Sequence, residues 1–463
     1  MTTTRIARVP DSTTRLGTEP VGRLLWRACT QTTAAVGVYG VYALTNAWFV
    51  GHGVGDNAMA AVNLAAPLLL LLGAVSTTVG AGGASLVSRA LGAGDRGAAA
   101  RAAGNSFALF WICAAATTGL GLAFLDPLLT LLGAHGELRE IARPYAVVLL
   151  CGAIFSTGFS SLVRAEGRTG YSTLLWVVAV AVQITLDPLL IFGCGLGVRG
   201  AALGTVGGQA VSAAMSLWFF FQRRGRPYRI GLHDLLPHGP TLRTLLAVGL
   251  PSFLAGAGVT LLAVLVNTTL AASGSATAPA AYAVCARLQT FATMPHTGIS
   301  QALQPLVGYN TGRGLHHRSL LARDLALRGS LLYGLLTAAA LAMLARPLAA
   351  MFLEDAAAIA TAAQALRVLT VGLAVAGIGP LVSAYAQALG RPAPAYLLTL
   401  GTLLLIKVPL IVTLGQLGAG GVWAALASGE LATAAVALLF LRHLRGDTPK
   451  AFREWKPIGE IPP

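Results

Sequence analysis

A chain of 463 residues of which 55% are hydrophobic and only 11% charged falls well short of the roughly 25% charge of a soluble domain, so it reads as a polytopic membrane protein. Its net charge of +15 does not point to nucleic acid, because in membrane proteins basic residues collect in cytoplasmic loops. Five cysteines (Cys29, Cys113, Cys151, Cys194 and Cys285) sit in or at the ends of apolar segments without metal-like spacing, and read as small packing residues rather than a disulfide framework.

Residues 1–23 are polar and carry Arg5, Arg8, Arg15 and Arg23, which predicts a cytoplasmic tail. The apolar stretch that follows runs to about Gly51; it is too long for a cleaved signal peptide, has no clear cleavage site, and reads as the first membrane helix. A crossing helix needs about 20 apolar residues, and twelve segments qualify: 24–51, 58–91, 98–126, 141–165, 170–194, 199–222, 244–272, 279–309, 325–352, 360–389, 394–416 and 420–442. Pro67, Pro188, Pro295, Pro380 and Pro409 fall inside them, where neighbouring helices can satisfy the freed backbone groups.

Lys and Arg set the orientation. The N-terminal tail, the loops at Arg89/Arg96/Arg101 and Arg164/Arg168, the "RRGRPYR" connection, the stretch from Arg313 to Arg328, Arg391 and the C-terminal tail share one side. The opposite loops hold only Arg139, Arg143, Arg199 and Arg346, and carry the acids Asp126, Glu137, Glu140, Glu354 and Asp355. By the positive-inside rule both termini are cytoplasmic.

Residues 223–242 form the one long polar connection and divide the chain into a six-helix lobe at 24–222 and another at 243–445, with a C-terminal tail at 446–463. The halves repeat. "NAWFVG" at 46–51 corresponds to "NTTLAA" at 267–272, and "DPLLIFGCGLGVRGAALGTVGGQ" at 187–209 to "VPLIVTLGQLGAGGVWAALASGE" at 408–430, both at an offset of 221; "AEGR" at 165–168 pairs with "ALGR" at 388–391. Six crossings per half make these parallel repeats about an axis along the membrane normal, which is transporter architecture.

Polar residues inside the spans are the candidate functional groups, because an ionised side chain at the bilayer centre costs about 3 kcal/mol or more. Asp187 lies 16 residues after Tyr171, roughly 24 Å along the fifth span at 1.5 Å per residue, with Gln183 or Thr185 as neighbours if it is a structural acid. Glu166 ends the fourth span between Arg164 and Arg168, where a solvated local ion pair is the bland explanation. Arg287, Arg367, Lys407 and Glu430 all fall in the second half and are expected to neutralise one another in ion pairs; the repeat mate of Glu430 is the neutral Gln209. His296 reads as a packed polar group. A cavity lining for lipophilic cations is offered by Tyr39, Tyr42, Phe155, Phe159, Trp176, Tyr282, Phe291, Met294 and Tyr385, since cation–π and sulfur contacts demand little exact geometry. Asn267, repeat mate of Asn46, joins that set together with Arg287 and Glu430. No H-E-x-x-H, G-x-S-x-G or Walker motif is present, so neither an intramembrane enzyme nor direct ATP use is expected.

"LVSRALGAGD" at 86–95, "LVRAEGR" at 162–168, "LDPLLIFGCGLGVRGAA" at 186–202, "QPLVGYNTGRG" at 304–314 and "LGAGGVWAA" at 417–425 together resemble the bacterial branch of the multidrug and toxic compound extrusion (MATE) family, over about residues 24–445. The resemblance implies an all-α protein with two six-helix bundles forming a V, a central cavity open alternately to either side, and export by a monomer in the plasma membrane, driven by H+ or Na+ without a resident cofactor. Its expected partners are small lipophilic cations and membrane lipids. It also implies a cation-coupling role for Asp187 and Glu166. One position departs: where many relatives carry an aspartate in D-x-x-F-x-G, this chain has Asn46, which offers an amide but no exchangeable carboxyl proton. A flippase for a lipid-linked precursor is the alternative, favoured if the basic residues of the second half face the cavity unpaired.

Overall fold

The computed structural model describes residues 12–446 except 55, 133, 157–158, 224 and 276; the expected tail segments 1–11 and 447–463, and the side chains of Tyr39 and Tyr42, lie outside the described ones. Every regular element among the described residues is helical. A short α1 (Ser12–Thr18) precedes α2 (Val21–Val54), α3 (Asp56–Ala93), α4 (Arg96–Ala123) and α5 (Leu125–Leu131). A broken span of α6 (Glu137–Cys151) and α7 (Phe159–Ala165) follows, and α8 (Thr169–Pro188) and α9 (Gly197–Leu217) complete the first lobe. After the linker come α10 (Gly239–Ala272), α11 (Ala278–Gly312), α12 (His316–Met343) and α13 (Ala345–Ala350). The second lobe closes with the paired α14 (Ala356–Leu373) and α15 (Ile378–Ala388), then α16 (Pro392–Tyr396), α17 (Val408–Leu414) and α18 (Ala419–Gly446).

Nine spans among the described residues are long and apolar enough to cross a membrane by themselves. The other three expected crossings are α2, α9 and α11, which run for 34, 21 and 35 residues. In α11 the polar load is clear: it carries Arg287, Gln289, His296, Gln301, Gln304 and Asn310, and a helix that faces other helices along much of its surface needs less hydrocarbon-compatible area.

Local chemistry explains where the helices stop. Asp95, in the "LGAGD" motif, caps α4 by accepting a hydrogen bond from the Ala98 amide at 2.7 Å, and Asp355 caps α14 in the same way from Ala358 at 2.7 Å. The repeated "AEGR" and "ALGR" loops both turn through a left-handed glycine, Gly167 at φ +78° and Gly390 at φ +73°, a conformation that a side chain would resist. Pro188, which cannot donate to the helical ladder, is followed by a π-helical turn at Leu189–Gly193. The equivalent span of the second lobe has π-helical turns at Leu397–Gly401 and Leu403–Lys407; such irregular turns frequently mark functional positions.

The cores define the shape. One continuous core runs through both lobes at the end that carries α1, the linker and the arginine-rich loops, joining Leu16, Leu86, Phe107 and Leu162 to Leu303, Leu306, Leu381 and Leu441. Towards the opposite, acid-bearing end the core splits. Val50, Leu129, Tyr145, Ile191 and Ala201 pack within the first lobe, while Val266, Leu270, Leu366, Ile411 and Trp423 pack within the second. The molecule is a V, joined at its basic end and divided at its acidic end.

Backbone contact makes that joint tight. A Cβ on Gly312 would lie 2.1 Å from the Arg89 carbonyl oxygen, one on Gly92 2.0 Å from that of Tyr309, and one on Gly249 2.1 Å from that of Thr78, each across the boundary between the lobes. Gly312→Ala or Gly92→Ala should therefore cost about 1–3 kcal/mol by overpacking, read as a lower melting midpoint in detergent. Gly37→Ala, with nothing within 4 Å of its added carbon, should melt close to the parent protein; equal midpoints for all three would refute the close-packed joint.

Candidate functional site

Asp187 sits in the last turn of α8, fully enclosed. Its Oδ2 accepts from the Asn46 side-chain amide of α2 at 3.4 Å, and its Oδ1 has no hydrogen-bond partner. That oxygen points at α9, where a Cβ on Gly204 would lie 2.0 Å away. Gln183, one turn earlier, donates to the Thr205 hydroxyl of α9 at 3.1 Å, and Thr185 bonds to its own helix at Ala181. A buried carboxylate with one long hydrogen bond and one unpartnered oxygen has an unmet demand for positive charge, which a proton or a small cation would fill. Asn46 is thus not a bystander in the aspartate's place: its amide is the described donor to the remaining acid.

Glu166 is buried, which sets aside the solvated ion pair, one of its two readings. Its side chain has 0% exposure and pairs with Arg226, itself 2% exposed, from the linker 60 residues away. Arg226 lies over the rings of Phe219, Phe220 and Tyr228, with its guanidinium carbon 4.5 Å from the Phe220 centroid. Burial, and secondarily the neighbouring Glu166 charge, hold the Tyr228 phenol well above the usual range, so it stays protonated. Of the neighbouring arginines, Arg164 donates to Ser161 Oγ at 3.0 Å and Arg168 to the Gly225 carbonyl. Arg226 had been legible only as one more basic loop residue.

The N-terminal tail also has a structural role. Thr13 donates to the Glu166 carbonyl at 3.2 Å in the first lobe. From the second lobe, Asn310 and Arg318 donate to the Leu16 carbonyl at 3.0 and 3.2 Å. One short helix, α1, therefore touches both lobes at the joint.

In the second lobe Lys407 pairs with Glu430 at 2.5 Å between the fifth and sixth spans. The expected mutual neutralisation reaches no further: Arg287 and Arg367 are exposed and belong to no ion pair among the described residues. The antiparallel α2 and α11 meet where Thr32 donates to the Gly298 carbonyl at 2.7 Å and where Gly40 faces Met294 and Phe291. Phe291 is 48% exposed, and Arg287, one turn nearer the acidic end, continues its face into the opening of the V. Asn267 and Phe155 are exposed; Trp176 donates to Ser160 at 3.3 Å, and Tyr282 stacks on Trp423 at 6.1 Å.

Two aromatic residues expected along a cavity wall are elsewhere. Phe159 is 1% exposed and packs 4.0 Å from Phe107 between α4 and α7, while Tyr385 is 2% exposed beneath Arg323. Both are packed into the shared core towards the joined end. His296 is buried and shares a hydrogen bond with Ser330 at 2.8 Å, a packed polar group as expected.

The sequence profile of the MatE family matches residues 35–189 and 251–413, most of each lobe. The chain is similar to the multidrug export protein MepA of Staphylococcus aureus, 26% identical over 410 residues that cover 88% of this chain and 90% of MepA. It is likewise similar to the FAD transporter of Shewanella oneidensis, 26% identical over 399 residues, 84% of this chain and 87% of that one. Among solved structures it resembles a multidrug resistance MATE family transporter of the MOP superfamily in its outward-facing conformation, with a TM-score of 0.88 and 26% identity over 96% of this chain and 99% of the other. A MOP superfamily transporter from Pyrococcus furiosus, described by a reversed polarity of its binding pocket, aligns with a TM-score of 0.88 and 27% identity over 95% and 99%.

Removing Arg226 alone would leave the Glu166 carboxylate buried without its cation, a loss of about 3–5 kcal/mol. Arg226→Gln should lower the melting midpoint in detergent, and adding Glu166→Gln to it should restore most of the loss. A double variant no more stable than Arg226→Gln would show that the pair is not what holds the linker.

Proposed function

This chain belongs to the MatE family of membrane transporters and is not an enzyme, and we propose that it is a secondary antiporter that exports lipophilic cationic drugs or metabolites across the plasma membrane in exchange for H+ or Na+. The reading places both termini and the linker in the cytoplasm, so that the V opens outward, and has one chain working as a monomer among membrane lipids. Asp187 carries it. With Oδ1 unpartnered and Asn46 as its neighbour, this acid can take up the coupling ion from the outside while the V is open; loss of its negative charge releases a cationic cargo and favours the return. Coupling of this kind requires the ion and the cargo to bind the two conformations with different affinities. A proton needs a single oxygen, whereas a metal cation needs a shell of several, and Asn46, Gln183 and Thr205 are the described side chains near enough to contribute. Glu166 stands at the joined end and acts through its bond to the linker, on the closing and opening of that end.

A second cargo class is favoured by one observation: Arg287 and Arg367 are exposed in the second lobe while Lys407 is already neutralised by Glu430. Such a surface suits an anionic group on the cargo, as in a phosphorylated metabolite or, for a flippase, a lipid-linked precursor, and similarity to a transporter named for FAD points the same way. Proteoliposomes loaded with either ethidium or FAD separate the two.

Asp187→Asn preserves shape and removes a charge, so the variant should insert and melt much like the parent yet lose at least tenfold in ion-driven export under separate H+ and Na+ gradients. Export at the parent rate under both gradients would make the aspartate structural. Orientation has its own test, in a background lacking the five native cysteines. A cysteine at Gly136 or Asp355 should react with an impermeant reagent added outside, and one at the highly exposed Leu232 of the linker should not; the opposite pattern would invert the topology.

A further inference from the structure

A cavity of about 200 Å³ lies at the basic end, outside the candidate transport site. Its walls come from three sources: Arg15 and Leu16 on α1, Glu19 in the bend after it and Arg27 on α2; the Arg164–Gly170 loop of the first lobe; and Ala302, Pro305 and Leu306 on α11 of the second. Four arginines, Arg15, Arg27, Arg164 and Arg168, meet there against the single carboxylate of Glu19. That carboxylate is 3.7 Å from Arg15 in a solvent-exposed pair, too weak to cancel the field. Glu166, the next carboxylate in the loop, is not part of the cavity wall and pairs with Arg226. Arg164 is only 7% exposed yet lines the cavity.

The space is smaller than the roughly 300–1,000 Å³ of a drug-sized site, and the wall is cationic, so a lipophilic cation has no business there. Guanidinium groups recognise tetrahedral oxyanions by bidentate hydrogen bonds, and basic pockets between membrane helices on the cytoplasmic side take phospholipid headgroups. We propose that this cavity is a binding site for a phosphate group, from an anionic lipid headgroup or from a soluble phosphate, that ties α1 and both lobes together at the basic end. Because its walls belong to both lobes, parting them dismantles the site. The bound anion therefore favours the conformation joined at this end, and the arrangement is independent of which cargo or coupling ion the transporter uses.

The test uses the full-length protein and reads binding, not export. In detergent, retention of phosphatidylglycerol against phosphatidylcholine is measured by native mass spectrometry after extraction from mixed vesicles, and stabilisation by inorganic phosphate is measured as a shift in melting midpoint. The variants are Arg27→Gln, at an exposed position, and Arg15→Gln/Arg27→Gln, with Arg243→Gln, an exposed arginine elsewhere at the same end, as control. Preferential retention of phosphatidylglycerol that falls at least fivefold in the double variant and survives in the control supports the headgroup. A phosphate-dependent midpoint shift lost in the same pattern supports the soluble source. Binding that is the same in all proteins, or absent from the parent for both probes, overturns the proposal.

Discussion

Two lobes that repeat one another can share a joint only at one end at a time, and here that joint is made of glycine against backbone. Gly92, Gly249 and Gly312 bring helices of opposite lobes close enough for a missing Cβ to matter, and dispersion contacts fall off steeply once such surfaces part by even a fraction of an ångström. The contact is therefore either made or lost, which is what a two-position transporter requires of its hinge end. The separate cores at the acidic end follow from it: each lobe must be stable with its inner face wet, and each has an apolar cluster of its own to make it so.

The repeat fixes shape but not charge. At the meeting of fifth and sixth spans the first lobe holds a lone acid against a glycine, and the second holds a neutralised Lys407–Glu430 pair. One lobe is thus left with an unmet demand for positive charge while the other satisfies its own. A pair of opposite charges changes its net charge only by breaking, whereas a lone carboxylate does so by taking up a single ion, so on the proposed antiport reading the ion-sensitive role falls to the first lobe.

The helical crossings and their duplication were legible because hydrocarbon imposes long apolar runs and because "DPLLIFG" and "VPLIVTL" stand at the same offset as "NAWFVG" and "NTTLAA". Asp187 was legible for the converse reason, as a charge where none is tolerated idly. What escaped was everything that depends on residues far apart in the chain. Arg226 pairs with Glu166 across 60 residues, and two arginines nearer in sequence made a local partner the simpler expectation. Phe159 and Tyr385 have the chemistry of a cavity wall, but the face of a helix that meets its neighbours is set by packing at the joint, not by residue type. The polar tail gave no sign of α1, whose one buried apolar anchor, Leu16, is too little for a periodic pattern.

The Glu166–Arg226 pair also alters where one half of the molecule ends and the other begins. A duplication would place its junction near the middle of the polar connection, yet Arg226 and Tyr228 are buried parts of the first lobe. A half cut off before them would lose the arginine that pairs with its buried carboxylate. The first lobe's own contacts run through Tyr228 and on to His238, whose amide donates to Asn105 Oδ1 at 2.7 Å while Asn105 donates to the Asp234 carbonyl at 3.1 Å, so most of the polar connection is bound to the first lobe rather than a free tether.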